Sequence, residues 1–465
     1  MIRENKDNKN KQKQKQKPII ILGGGPAGLA AAYELAKKGR KIVVMEKENQ
    51  VGGLSATLKK DGFLYEFGPH AFHLKDPKIT LWLQKILGQD FRVIPTKTQV
   101  LIRGKLLNYP LSGGELFSKI PPFLALKILG EYFLAYIKRF LIQRKPQSFE
   151  EWGLQNFGPT LYKMSFGDYT QKVWGLEPRK LSARLATQKL SRLNLGDIIL
   201  KLLGFRGKFQ PAYFKKYLYP RTGAGLIFQK MIEEIVPAGQ ILLEAEATKV
   251  KSHKGRIYAV EYKERGLKKT LLCQGVISTL TLQTLIPMMN ALPKPKVLAA
   301  AGKLNYRDLI IVYLVLENHI LSQAQWIYLV ENKFRFNRIT FGKNLSPSFA
   351  PTNKNVLALE VGAQKDDELW QKSDEELLAM AKKDLALLGW ENLKIDDFWV
   401  KRIVNVYPIF LEGFENYLTE ALKGLHGYPN LISTGRNGLF LNSDIHDSFL
   451  LGFQAGREAA QWSKR

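Results

Sequence analysis

The sequence predicts an α/β protein in which a parallel-sheet, Rossmann-like unit is assembled from separated stretches of chain. Helices and an antiparallel sheet are inserted between those stretches. Three observations predict this. Ile19 to Leu22 is a fully apolar run, followed by a glycine-rich turn, an Ala/Leu-rich helix to Lys38 and a second β-branched run from Lys41 to Met45. That order is a βαβ unit, and unbroken apolar runs are what buried parallel strands need. A last apolar strand, Asn430 to Thr434, stands near the other end, before a helix from about Ser448 to Trp462. With 45% hydrophobic and 24% charged residues, the composition is globular, which excludes a mainly disordered or fibrous chain.

The elements follow in order. Residues 1–17 are a Lys/Gln/Asn-rich tail that cannot bury enough apolar area to offset its ordering entropy. After the βαβ unit, residues 79–210 read as mostly helical. Within them the 122–142 helix carries Phe123, Leu126, Leu129, Phe133, Ile137 and Leu141 beside basic residues. An amphipathic core helix is the ordinary explanation of that pattern, and a membrane-surface helix is the alternative. Residues 222–234 read as a helix, and 241–250, 256–262 and 270–279 as strands. A second sheet is expected from 306–316, 325–330, 335–341 and 356–361. A helix over 374–388 opens with the capping-box pattern Ser373-x-x-Glu376. No internal repeat is present.

Charge and cysteine usage bound the function. Seventy Lys+Arg against 42 Asp+Glu give a net +28, so the folded body is expected to meet anions. One cysteine, Cys273, excludes a disulfide framework and a Cys-rich metal site, and its apolar strand context reads as a buried structural thiol. No metal site is expected. The tail has no apolar h-region and no run reaches about 18 apolar residues, so a cytoplasmic protein without a membrane span is the expectation.

The first turn carries the sharpest chemistry. Gly23-x-Gly25-x-x-Gly28 lies between a strand and a helix, with Pro26 and Ala27 opening the helix. Gly23 permits the tight turn, Gly25 lets backbone approach a pyrophosphate, and Gly28 lets helix pack on strand. The helix N-terminus then offers N–H groups and partial positive charge to phosphate. Glu46, at the end of the second strand, can accept hydrogen bonds from ribose hydroxyls, with Lys47 beside it. Dinucleotide binding is the expectation.

Gly52-Gly53-Leu54 follows six residues after Glu46, where a plain NAD unit has no second glycine pair. Together with Asp61-Gly62-Phe63, Gly68-Pro69-His70, the strand Glu246 to Val250, and Val276 to Thr279, this resembles the two-dinucleotide-fold flavoproteins. Those are the amine oxidases, protoporphyrinogen oxidases and UDP-galactopyranose mutases, and the resemblance covers residues 18–465. It implies non-covalent FAD, with Gly68-Pro69-His70 near the isoalloxazine and Gly435, Arg436, Asp447 and Ser448 as the C-terminal flavin segment. It also implies a discontinuous FAD domain of residues 18–77, 215–290 and 425–465, and a substrate domain of 78–214 and 291–424.

Two stretches resemble the mutases more closely. Trp326-Ile327-Tyr328, then Arg338, then Asn344-x-Ser346-Pro347 look like their active-site strand pair. Gly435-Arg436-Asn437-Gly438 and His446-Asp447-Ser448 look like their flavin segment. By that resemblance Arg338 and Arg436 hold a diphosphate, Tyr328 and Tyr407 line the pocket with Trp326, and His70 stands beside the flavin. Asn442 occupies the place of a phosphate-binding tyrosine. An anionic small molecule, such as a nucleotide sugar, is the implied substrate class, and no nucleic-acid partner is expected.

No second GxGxxG unit exists for NAD(P)H. Two reactions therefore stand open: hydride transfer from substrate to flavin in an oxidoreductase, or redox-neutral mutase chemistry on reduced flavin. A flavin-binding scaffold without turnover is the third reading.

Overall fold

The computed structural model describes residues 17–74, 76–109, 119–189, 216–290, 294–317 and 321–462. The tail expectation over 1–17 therefore lies, Lys17 apart, outside the described residues. The expected α/β fold is present. A five-stranded parallel sheet runs in the order Gly239–Leu242, Ile42–Met45, Ile19–Leu22, Gly275–Ser278, Leu431–Ser433.

Alternation gives this sheet two apolar faces, which is why its strands read as unbroken apolar runs. Ile19, Ile21, Ile42, Val44 and Ile277 pack with side chains of the helices Pro26–Lys37, Gly225–Ile235 and Ile445–Ala459. Ile20, Leu22, Val43, Met45 and Val276 cluster instead with Val250, Ile257 and Val260. These last three belong to the antiparallel sheet Ala245–His253, Arg256–Glu264, Leu267–Leu272.

A seven-stranded sheet makes the second body. Its order is Ile395–Pro408, Tyr306–Glu317, Lys354–Ala363, Arg338–Phe341, Trp326–Leu329, Thr98–Ile102, Lys105–Asn108. It is mixed rather than purely antiparallel, because Trp326–Leu329 pairs in parallel with Thr98–Ile102. The mostly helical expectation for 79–210 is corrected by Phe91–Pro95, Thr98–Ile102 and Lys105–Asn108. Strands of four or five residues are too short for their period to stand out between helices. Ile395–Pro408 was not expected as a strand. It is an edge strand of the sheet, and Asp396, Asp397, Lys401 and Arg402 interrupt its apolar pattern. The helix Asp374–Ala386 does open with the Ser373–Glu376 capping box.

The Pro122–Ile142 helix overturns the core expectation. Leu124 and Ile128 are buried, whereas Phe123, Leu126, Phe133, Ile137 and Leu141 are exposed. The inward edge packs on the helix Phe149–Tyr162, where Gly158 (φ +73°) brings its backbone against Glu131. A Cβ at Gly158 would lie 2.8 Å from Glu131 Cβ, so the two helices cross closely only because a glycine stands there. Glu131 accepts from Thr160 N at 2.7 Å and from Thr160 Oγ1 at 2.9 Å. The apolar stripe is thereby turned outward.

Candidate functional site

The glycine turn, Glu46 and the Gly52-Gly53-Leu54 turn converge beyond the C-terminal ends of Ile19–Leu22 and Ile42–Met45. Gly23 has φ +98° and Gly52 φ +112°, both in the left-handed region where a Cβ is strained. A Cβ at Gly28 would lie 1.9 Å from Gly23 O, so helix and strand touch there. At Gly25 it would meet only Gly53 Cα at 3.9 Å, leaving open space over the helix N-terminus. Gly52 N donates to Gly24 O at 2.9 Å and ties the second turn to the first.

Glu46 is buried, with Oε2 accepting from Gly24 N at 2.7 Å and Oε1 from Glu48 N at 3.0 Å. Burial pushes its carboxyl above the usual range against the pull of those two N–H groups. A carboxylate has about four lone-pair sites, so two remain for hydroxyl donors. Open space over a helix N-terminus, beside a carboxylate with acceptor sites to spare, fits the ADP half of FAD. Lys47 is exposed and sits 3.5 Å from Glu48, Leu54 lies in the second turn, and Val250 is wholly buried, its N–H donating to Met288 O at 2.8 Å.

The Gly68-Pro69-His70 loop is fixed by a residue that the sequence reading missed. Glu66 is buried and accepts from Thr57 Oγ1 at 2.8 Å, Ala224 N at 2.6 Å and Tyr219 OH at 2.9 Å. His70 Nδ1 lies 3.5 Å from the same carboxylate. The Thr57 strand and the Tyr219–Ala224 stretch are thus tied to one carboxylate beside the loop.

Directly against this loop stands the second half of the site. A Cβ at Gly68 would lie 3.0 Å from Arg338 Nη2. Tyr328, Arg338 and Glu360 are cross-strand partners on three adjacent strands, so their side chains share one sheet face. Arg338 closes its fork on Glu360, with Nε–Oε1 at 2.8 Å and Nη2–Oε2 at 2.5 Å. Burial opposes the guanidinium charge, but Glu360 outweighs it and holds Arg338 firmly protonated. Trp326, two residues from Tyr328, packs its ring 5.7 Å from Tyr217.

Around the pair is a wall of tyrosines. Tyr109 and Tyr169 lie edge-on to Tyr328, at 5.5 and 5.9 Å between centroids. Tyr407 lies 6.0 Å from Trp174. Burial raises the Tyr169 and Tyr328 hydroxyls above their usual range, so both stay protonated donors at neutral pH. A π-helical turn, Lys163–Gly167, precedes the helix Asp168–Trp174 that carries Tyr169. On that helix Lys172 Nζ donates to the carbonyls of Leu329, Glu331, Phe334 and Phe336, which clamps the connection between the Tyr328 and Arg338 strands. Burial pushes its amine down to about 8.

Arg436 joins the two halves. Gly435 (φ +78°) packs against Ala27, where a Cβ would lie 2.8 Å from Ala27 Cβ. The Arg436 guanidinium lies 5.7 Å from the Tyr407 ring centre. It donates to Val406 O at 3.2 Å and, from two nitrogens, to Ser443 O. No carboxylate among the described residues pairs with it, and burial lowers its affinity for its proton. Asn442 Oδ1 and Asn437 Oδ1 are buried without hydrogen-bond partners. Asp447 and Ser448 belong to the helix N-terminus. Asp444 and Asp447 form its capping box, and His446 Nε2 lies 2.9 Å from Asp447. The ligand atoms of Asp444, His446 and Asp447 lie within 4.8 Å of one another, an arrangement that the helix cap itself accounts for.

Glu360, Glu66, Tyr109, Tyr169 and Lys172 were not singled out from sequence. For Glu360 a signal existed: one carboxylate in the otherwise apolar run Val356 to Ala363 asks for a buried cation opposite.

The family described as flavin containing amine oxidoreductase matches residues 26–460. A probable UDP-galactopyranose mutase of Klebsiella pneumoniae is 26% identical over 244 residues, 49% of this chain and 55% of that protein. The chain thus spans about half the length of that relative. Protoporphyrinogen oxidase 1 of Arabidopsis thaliana chloroplasts is 25% identical over 472 residues, covering 93% of this chain and 85% of that one. A crystal structure of reduced UDP-galactopyranose mutase superposes with TM-score 0.82 at 20% identity, covering 97% and 95% of the two chains.

Proposed function

The chain belongs to the flavin-containing amine oxidoreductases, and on that premise we propose that it is an FAD-dependent oxidoreductase acting on a hydroxylated, anionic small molecule. The single observation that carries this reading is the pairing pattern of the two arginines. Arg338 is neutralised by Glu360, whereas Arg436 is half-buried beside Tyr407, and among the described residues its nitrogens donate only to backbone carbonyls. One uncompensated cation facing a tyrosine-walled pocket suits a carboxylate or a single phosphate better than a fully charged diphosphate.

FAD, held along Gly23–Gly28, Glu46 and Gly435, supplies a two-electron acceptor. This chain's residues do the rest. Arg436 holds the substrate anion. Tyr328 and Tyr169 donate hydrogen bonds to substrate hydroxyls and exclude water. The Arg338–Glu360 pair backs the Gly68 loop and fixes its distance from the pocket. Lys172 keeps the strands of Tyr328 and Arg338 in register.

A redox-neutral sugar-nucleotide mutase is the second reading. It is favoured by Tyr328 and Arg338 standing as direct cross-strand partners, as the mutase-like strand pair would have them. Asn442 in place of a phosphate-binding tyrosine weighs against it.

The deciding experiment mixes the FAD-loaded enzyme anaerobically with porphyrinogens, amines, hydroxy acids and UDP-hexoses. Bleaching of the flavin band by one class supports the oxidoreductase. Absence of bleaching, with UDP-galactopyranose and UDP-galactofuranose interconverting on the dithionite-reduced enzyme, assigns the mutase.

A further inference from the structure

The outward face of the Pro122–Ile142 helix serves neither the fold nor the pocket. Phe123, Phe140 and Leu141 are 72%, 71% and 73% exposed, and Leu126, Phe133 and Leu134 are exposed beside them. From Phe133 to Leu141 every described side chain except Ala135 is exposed, so the last turns of the helix stand off the body. Isolated exposed apolar residues are ordinary; a continuous apolar face along a 21-residue helix, about 30 Å long, is not.

The charges decide what would cover it. Lys127, Lys138 and Arg139 lie exposed on the helix, and Arg144 and Lys145 follow just past its end. The helix's one acid, Glu131, is turned inward onto Thr160. Lys127 Nζ reaches Glu131 at 3.9 Å and Arg144 reaches Glu151 at 4.0 Å, but no carboxylate among the described residues pairs with Lys138, Arg139 or Lys145, so the outer surface is apolar and net cationic. A second copy of the same face would set lysine against lysine with nothing on that face to pair them. An anionic lipid surface answers both features, taking the aromatic and leucine side chains below its headgroups and the cations among its phosphates. No described helix is long and apolar enough to cross a membrane, so such a helix would lie in the interfacial plane.

We infer that residues 122–145 form an in-plane docking surface for anionic membranes. The pocket hangs from the same segment. Tyr109 precedes it in the chain, and the helix Phe149–Tyr162 packed against it leads through the π-helical turn to Tyr169. Docking is independent of which reaction the enzyme performs.

The test is co-sedimentation of the FAD-loaded full chain with phosphatidylcholine vesicles, with and without 30 mol% (about one lipid in three) phosphatidylglycerol, read by flavin absorbance in the pellet. Wild type is expected to pellet with the anionic vesicles and to stay in solution with the neutral ones. Lys138→Gln with Lys145→Gln weakens partitioning roughly 25-fold, about fivefold per cation. Phe133→Ser with Phe140→Ser weakens it at least about tenfold. Both double variants keep flavin content and thermal midpoint, because these side chains point away from the body. Failure of wild type to bind anionic vesicles overturns the proposal, as does binding that neither variant alters. A solution dimer dispersed by Phe133→Ser with Phe140→Ser assigns the face to a second copy and also overturns it.

Discussion

Replacing Glu360 by glutamine tests the central ion pair without changing side-chain volume. The Glu360 side chain is 1% exposed and the Arg338 side chain 16%, and the carboxylate meets Nε at 2.8 Å and Nη2 at 2.5 Å. In Glu360→Gln one oxygen becomes an amide donor aimed at a guanidinium donor, and the cation is left buried without its partner. Breaking a buried pair from one side costs about 3–5 kcal/mol. At about 2.1 cal/mol/K per residue, 465 residues unfolding together shift by about 1 °C per kcal/mol, so the thermal midpoint should fall by roughly 3–5 °C. Removing both charges, as in Arg338→Met with Glu360→Leu, should return most of that loss, because an apolar pair of similar volume is about neutral. Substrate turnover should not return with it, since the wall behind the Gly68 loop has changed. The assay is thermal unfolding followed by circular dichroism and by release of flavin fluorescence, with flavin content measured beforehand. A Glu360→Gln midpoint within about 1 °C of wild type would refute the reasoning. So would a double variant as unstable as the single one.

Other expectations follow from the same geometry. Gly25→Val should yield a folded protein with little bound FAD, because its side chain meets only the cofactor's space, whereas Gly28→Val should fail to fold; circular dichroism and flavin content separate the two. Lys172 has a folded pKa of about 8, below its unfolded value, so the unfolded chain binds more protons in the window between. Wild-type stability relative to Lys172→Met should therefore rise as pH goes from about 8 to 10.5, and denaturant titrations showing it flat or falling would contradict the assignment. The Cys273 thiol is buried and pushed up to about 12, so a thiol reagent at neutral pH should label it only after unfolding, as mass spectrometry of native and denatured samples would report.

The fold was legible where one sequence pattern had one physical meaning. Ile19 to Met45 could be read because a strand, a glycine turn, a helix and a carboxylate at fixed spacing serve one task. The long strands Tyr306–Glu317 and Lys354–Ala363 could be read because both are buried nearly end to end. Ile395–Pro408 hid because an outermost strand mixes Asp and Lys into its pattern. The Pro122–Ile142 helix misled because an apolar stripe specifies a face without saying whether protein covers it.

The site divides in the same way. Tyr328 and Arg338 were visible through a family resemblance on a local stretch. Glu66, Tyr109, Tyr169 and Lys172 were not, because each acts across the fold: Glu66 meets Tyr219, 153 residues away, and Lys172 meets Leu329, 157 residues away. Arg338's partner was missed even though Glu360 stands directly opposite it in register.

In the proposed function, Arg436 and the tyrosine wall bind a substrate anion next to the flavin. A difference absorbance titration of the FAD-loaded enzyme with inorganic phosphate, pyrophosphate, UDP and small carboxylates tests that claim most directly. The account predicts a saturable shift of the flavin band with at least one of these anions, in wild type. Arg436→Met at matched flavin content should weaken it by about ten- to hundredfold, the loss of one or two charge-assisted bonds. A flavin band indifferent to every anion, or a shift that Arg436→Met leaves intact, would contradict it.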